Sequence, residues 1–293
     1  MVRGSVMTDA NTPEADTPES DGPEAAGGTE AHTWRPARFM VIAAHPDDAD
    51  FGPAATASRW IDEGSVGWLV CCTSGDAGAE DPDTDPLELA ALREREQRAA
   101  AEVVGYEGVS FLHMPDGALV NDLILREHLV REIRNFRPDA VLATDPETLF
   151  HRDRGVNHTD HRAAGYAAVD AVYPAARNPM AFPWLAREGL AAHRVRRLYL
   201  FWSNTMTVRV DVSGTIERKL DALRAHASQL KDFDRVEQWT REWSAEIGKE
   251  IGVAAAEGFH LVVIDEDDED EEADGTASAG AVESEAAEAG STG

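Results

Sequence analysis

Two short stretches carry the residue types that bind divalent cations and move protons near neutral pH. The first is His45-Pro46-Asp47-Asp48-Ala49-Asp50, and the second runs from His151 to His161 and ends in His158-Thr159-Asp160-His161. Asp and Pro are ordinary turn residues, and Asp47 or Asp48 can cap a following helix. That account leaves unexplained the histidine beside them at the end of an apolar run. His158 and His161 are three apart, so on a starting helix they share a face. Asp160 adjoins both, and Asn157 or Thr159 can cap. Imidazole nitrogen and carboxylate oxygen suit zinc in a catalytic site, where three protein ligands leave a fourth position for water. Cys71 and Cys72 are adjacent inside an apolar run. They are not needed for such a site and read as core.

Residues so far apart in the chain converge only if the elements around them bring them together. Arg38–Ala44 is a short continuous apolar run, as expected of a strand buried on both faces. A helix is expected from about Gly52 to Glu63, a strand over Val66–Thr73, and a helix over Leu87–Val104 stopped by Gly105. Further strands are expected at Val109–His113 and Ala140–Thr144, and helices at Asp122–Phe136 and from His158 to about Val172. Strands at Val195–Ser203 and Thr207–Val212 lead into a helix capped by Ser213 and reaching about Leu230. A second helix follows, and Gly258–Ile264 is the last strand. Alternating strands and helices predict an α/β fold, Rossmann-like, with a mostly parallel sheet and helices on both faces. Ligands then bind beyond the carboxyl ends of the strands, so the chemistry belongs in the turns after Ala44, Thr73, His113 and Thr144. Gly75, Gly78 and Asp116–Gly117 are expected at the pocket. Phe182-Pro183-Trp184 reads as a packed loop anchor rather than a sugar-binding rim.

The 293 residues carry 55 acidic and 27 basic side chains, a formal charge of -28. Residues 1–32 hold seven acids and one arginine, and residues 265–293 hold twelve acids and no base. Both ends are rich in Pro, Gly, Ala, Ser and Thr, so residues 1–33 and 265–293 are expected to be disordered acidic tails on a single domain, 34–264. This charge excludes nucleic-acid binding by bulk electrostatics. No apolar run is long enough for a membrane span, and no signal-peptide pattern opens the chain. Two adjacent cysteines suit a reducing compartment, giving the expectation of a soluble cytoplasmic protein. Oligomeric state is left open, homo-oligomerisation included.

His45-Pro46-Asp47-Asp48 with His158-Thr159-Asp160-His161 resembles the LmbE/PIG-L family of zinc-dependent N-deacetylases. That family includes bacterial enzymes that deacetylate N-acetylglucosamine conjugates on the way to mycothiol and bacillithiol, and the GlcNAc-phosphatidylinositol de-N-acetylase. The resemblance spans roughly residues 38–264 and takes in the turn Thr73–Gly78, the Arg93-Glu-Arg-Glu-Gln-Arg helix, Asp116-Gly117 and His226-Ala-Ser-Gln229. It implies one Zn2+ per chain held by His45, Asp48 and His161. It also implies Asp47 as the general base, and His158 as the group that meets the oxyanion or the leaving amine, protonated and oriented by Asp160. Arg177 would correspond to a substrate-binding arginine in some relatives. Three departures stand out: Ala49 where the family often has Glu, Thr159 where it usually has Pro, and Val156 where some mycothiol-type enzymes have Tyr.

The function so implied is a zinc-dependent hydrolase that removes an N-acetyl group from an amino-sugar-like, GlcNAc-type small molecule. An amidase acting on a thiol conjugate or another small amide is the first alternative. A non-catalytic Rossmann-like module that binds a metal or nucleotide is the second. It fits less well because every catalytic position is filled and no G-x-G-x-x-G follows the first strand.

Overall fold

The structure, a computed structural model, describes residues 30–152 and 155–266. Its centre is β1 (Arg38–Ala43), whose side chains are buried from Phe39 onward because they point alternately into two different cores. Phe39, Val41 and Ala43 face one core; Met40, Ile42 and Ala44 face the other. The same alternation places Cys71 and Cys72 of β2 (Val66–Thr73) on opposite faces as buried free thiols. Burial pushes both thiols well above their ordinary range.

Strands β3 (Gly108–Met114), β4 (Ala140–Thr144), β5 (Arg197–Phe201), β6 (Val208–Asp211) and β7 (Ala256–Val263) complete one sheet in the order β3-β2-β1-β4-β5-β7-β6. Strands β1 to β5 are parallel, while β7 runs antiparallel to both β5 and β6. The chain winds outward from β1 to β3, then returns to β4 on the other side of β1. Strand order therefore reverses between β1 and β4, and the crevice beyond their carboxyl ends is where this architecture binds ligands. His45 leaves β1 at that point, and the segment bearing His158 and His161 follows β4.

Helices α1 (Asp48–Phe51), α2 (Ala54–Asp62), α3 (Pro86–Val104), α7 (Ile216–Arg224) and α8 (Phe233–Lys249) include those that cover one face. The other face is covered by α4 (Leu123–Phe136), α5 (Thr159–Asp170), a π-helical turn at Ala171–Ala176 and α6 (Pro183–Arg187). Asp85 caps α3 through the N–H groups of Leu87 and Glu88, and Asp122 caps α4 through those of Ile124 and Leu125. Gly165 lets α5 sit against the end of β4, since a Cβ there would lie 2.4 Å from the Thr144 carbonyl oxygen.

Most expected elements are present, with informative differences. The helix expected over Gly52–Glu63 is α2, starting at Ala54, and an unexpected short helix, α1, precedes it; the two are separated at Gly52-Pro53, where proline offers no N–H to continue the ladder. A buried pair fastens the break: Lys219 Nζ donates to the carbonyls of Phe51 (2.9 Å) and Gly52 (2.6 Å) and to Glu257 (2.6 Å). Glu257, on β7, in turn accepts from the N–H groups of Ala55 and Thr56 at the start of α2. The helix expected from Ser213 to Leu230 is only Ile216–Arg224. Ser213 does not cap it but bonds the Asp211 carboxylate. His226 leaves the helix to pair with Asp50. Strand β5 is shorter than Val195–Ser203, and α6 was not anticipated. Most of the expected acidic tails lie outside the described residues. Ordered contacts nonetheless reach into both: His32 N–H donates to the Arg209 carbonyl, and Asp265 pairs with Arg177.

Candidate metal centre

Backbone geometry at the end of β1 sets up the site. Asp47 has φ 96° and ψ −27°, a left-handed conformation that costs a non-glycine residue free energy and persists only where surroundings enforce it. The enforcement comes from α3. Gln97 Oε1 accepts the Asp47 N–H at 2.7 Å, and Gln97 Nε2 donates to Asp50 Oδ2, also at 2.7 Å. Asp50 is bound by His226 Nε2 at 2.8 Å, and Gln97, Asp50 and His226 are all fully buried. Arg93, one turn before Gln97, donates to the Pro46 carbonyl (2.7 Å), the Gly75 carbonyl (3.0 Å) and Asp47 Oδ2 (3.3 Å). Gly75 has φ +69°, and a Cβ there would collide with that guanidinium.

On this frame three imidazoles converge. His45, His158 and His161 have ring centroids 5.0–5.3 Å apart and can each offer a ligand atom, all within 4.8 Å of one another. Asp48 bridges two of them: its Oδ1 lies 3.0 Å from His161 Nε2 and its Oδ2 lies 3.5 Å from His45 Nδ1. His45 Nε2 faces away from Asp48 toward Asp116 Oδ1 (3.1 Å) and Asp160 Oδ2 (3.4 Å). His45, Asp116 and Asp160 form a second group with ligand atoms within 4.8 Å. Asn157 Oδ1 lies 3.2 Å from His161 Nδ1. An Nδ1–H donated there leaves the Nε2 lone pair facing Asp48, the usual arrangement behind a metal-bound imidazole. Clustered imidazole nitrogens and carboxylate oxygens, oriented by outer hydrogen bonds, are a donor set fit for a divalent cation.

Charge interactions in the cluster are strong. Burial alone would lower the His45 pKa, but the hydrogen bonds its ring donates to Asp116 and Asp48, with their charges, outweigh it and raise it to about 10. Asp48 is buried, which would raise its pKa, yet His161 and His45 hold it below the ordinary carboxylate range. Asp47 is pushed up to about 7 by burial and by the charge of Asp48, against opposing pulls from Arg93, His226 and His45.

The second motif differs from its expected role. Asp160 does not reach His158 with its carboxylate. That carboxylate accepts from the N–H groups of Gly117 (2.7 Å) and Leu119 (3.2 Å) and lies beside His45. Instead, the Asp160 backbone N–H donates to His158 Nδ1 at 3.2 Å, making His158 the N-cap of α5. Partial burial and the charges of His45 and His161 lower the His158 pKa, with Asp160 opposing. His158 is thus an exposed imidazole that accepts the Asp160 N–H at Nδ1 and holds a proton less readily than an ordinary histidine.

Arg177 is not brought to the cluster. It pairs with Asp265 at 3.0 Å and lies over the Tyr173 ring, 5.3 Å from its centroid. The adjacent Ala176 carbonyl accepts from Arg134 near the C-terminal end of α4, the end of the sheet opposite the imidazoles. Phe182-Pro183-Trp184 also serves elsewhere, with Trp184 Nε1 bound to Glu127. Sequence reading underused Asp116, Arg93, Gln97 and His226. Arg93 and Gln97 do carry one signal, their i, i+4 spacing on one helix face. Asp153 and Arg154, in the second motif, lie outside the described residues.

Residues 40–172, which include every imidazole of the cluster, match the family described as "PIG-L: GlcNAc-PI de-N-acetylase". Fold and site thus point to one class: over these residues the chain matches the PIG-L family, and it is similar to known deacetylases in sequence and fold. Its relatives are deacetylases. It is 29% identical over 228 residues to a diacetylchitobiose deacetylase of Thermococcus kodakarensis, covering 77% of this chain and 83% of that one. It is 27% identical over 252 residues to the 1D-myo-inositol 2-acetamido-2-deoxy-alpha-D-glucopyranoside deacetylase of Streptomyces avermitilis, covering 66% and 83%. Among solved structures it resembles the N,N'-diacetylchitobiose deacetylase from Pyrococcus horikoshii complexed with its inhibitor MPG. That likeness has a TM-score of 0.72 and 29% identity over 78% of this chain and 84% of that one.

Proposed function

We propose that this protein is a metal-dependent N-deacetylase that hydrolyses the acetamide of a GlcNAc-type amino sugar, with His45, Asp48 and His161 holding one Zn2+. The observation that carries this reading is the convergence of His45, His161 and Asp48 from two segments over a hundred residues apart. A bound divalent cation supplies a lowered pKa for water and a Lewis acid for the amide carbonyl. Asp47 acts as general base on the attacking water. Its pKa near 7 suits a group that must take up and then release a proton at neutral pH. His158 Nε2–H donates a hydrogen bond to the oxyanion and lies open to the substrate. The Asp160 carboxylate favours the charged form of His158 only weakly; it mainly fixes the 117–119 turn, beside which Asp116 meets His45.

Metal analysis combined with free-amine release from a panel of N-acetylated sugars tests this reading. Asp47→Ala is expected to keep the metal while turnover falls by roughly 10²–10⁴-fold, the usual worth of a general base. His45→Ala is expected to lose both. Normal turnover by Asp47→Ala would remove that residue from the mechanism.

A further inference from the structure

The segment His226-Ala-Ser-Gln229 supplies no ligand to the imidazole cluster. It follows the end of α7 and is bonded to two other helices. The N–H and Oγ of Ser228 donate to the Glu96 carboxylate at 2.9 and 2.6 Å, on α3 and directly before Gln97. His226 Nε2 donates to Asp50 Oδ2 at 2.8 Å, on α1. Gln97 Nε2 donates to the same oxygen at 2.7 Å, while its Oε1 accepts the Asp47 N–H. A continuous chain of hydrogen bonds therefore runs from His226 through Asp50 and Gln97 to Asp47, and its first three members are fully buried. Burying an imidazole, a carboxylate and an amide together costs free energy unless each is paired. Among the described residues His226 Nδ1 has no partner, so the polar contact its ring makes is the bond to Asp50.

We propose that His226 is a positioning residue for the general base: through Asp50 it fixes which end of the Gln97 amide faces Asp47, and so holds Asp47 in the left-handed conformation that sets the direction of its carboxylate. A carboxylate only accepts hydrogen bonds, whereas a glutamine amide has one accepting and one donating end. With Asp50 Oδ2 before it, Gln97 must turn Nε2 to Asp50 and Oε1 to the Asp47 N–H. Were Asp50 to swing away, the amide could turn over and bring two donors face to face at Asp47. His226 keeps Asp50 in place, and Ser228 keeps the stretch of α3 that carries Gln97. A non-glycine residue at φ 96° holds that conformation only while its surroundings enforce it, so losing the acceptor releases Asp47 toward an ordinary φ and moves its carboxylate. This inference rests on the reading of Asp47 as general base, while the conformation it claims can be measured without turnover.

The test is made on the metal-loaded enzyme with the N-acetylated sugar it turns over fastest. His226→Leu is expected to lower kcat roughly ten- to a hundredfold, the scale of a catalytic group displaced by about an ångström, while KM stays within about twofold and the metal stays bound. His226→Gln, whose longer amide can bring an N–H to Asp50, should recover most of the loss. In an Asp47→Ala background, His226→Leu should change the residual turnover by less than about twofold, because nothing is left to position. The same fold loss in both backgrounds, or an unchanged kcat in His226→Leu, overturns the role. Should His226→Leu fail to fold, His226→Asn takes its place, since its shorter amide stops short of Asp50. If no N-acetylated sugar is turned over, the base reading fails, and crystal structures of the unaltered protein and the His226 variant decide the positioning alone. Asp47 moved out of the left-handed region in the variant upholds it, and Asp47 still near φ 96° overturns it.

Discussion

At the scale of single residues, a proton and a cation compete for His45. Its imidazole holds its proton up to about pH 10 because Asp116 and Asp48 flank it. The sign follows. A folded pKa raised above the ordinary 6.5 stabilises the metal-free protein fully below 6.5, and that contribution fades as pH rises through about 10. Cation binding must displace this proton, so affinity rises with pH. Calorimetry near pH 7.5 in buffers of different ionisation enthalpy is expected to report release of about one proton per cation. Asp116→Asn should reduce that release by letting His45 deprotonate earlier. His45, Asp47 and Asp48 were legible in sequence because they are adjacent and of unmistakable chemistry. Asp116 was not legible as a partner of His45, since an isolated aspartate before a glycine reads equally well as a turn. Asp160 was legible beside His158, which its backbone N–H does bind, but the partners of its carboxylate were not. Proximity in sequence suggested His158, whereas its carboxylate turns to the 117–119 backbone.

At the scale of elements, α3 holds the turn bearing Asp47 and α5 delivers the two later histidines. Gln97→Leu leaves the Asp47 N–H without its acceptor and removes one of the two donors to Asp50 Oδ2, His226 Nε2 remaining. Each buried unpaired group costs about 1–3 kcal/mol. Thermal unfolding should therefore record a clear loss, and kcat should fall more than KM rises, while Gln97→Glu should restore the acceptor for Asp47 but not the donor to Asp50. Bound metal should remain, because Gln97 touches no member of the cation cluster. Gly165→Ala drives a methyl into the Thr144 carbonyl, so α5 must shift at a cost of about 1–3 kcal/mol. A crystal structure of that variant should show His158 and His161 displaced from His45. Strand order was legible only as far as alternation implies a parallel sheet. Nothing local marks β7 as the strand that runs backward, and nothing local ends α7 at Arg224. The cause is His226, drawn to an aspartate 176 positions earlier.

For the whole molecule, charge and core are separate matters. The packed residues of both cores and their flanks lie between Trp34 and Ile264, whereas residues 1–32 and 265–293 together hold 19 of the 55 acids. Removing residues 1–29 and 267–293 is expected to leave the melting temperature within a few degrees and kcat/KM within about twofold, with a large shift in anion-exchange elution. Among the described residues no helix is long and apolar enough to cross a membrane. The Lys219–Glu257 clamp carries a further meaning for how the protein comes into being. The turn that bears Asp47 and Asp48 leads into two helices whose junction is fastened from β7, near the far end of the chain. A nascent polypeptide emerging from the ribosome can lay down β1 through β5, but it cannot clamp that junction until Glu257 arrives. That junction is thus fastened only late in synthesis, and a chain truncated before Ala256 is expected to bind a divalent cation more weakly than the full chain, as a metal-binding titration of the two would show.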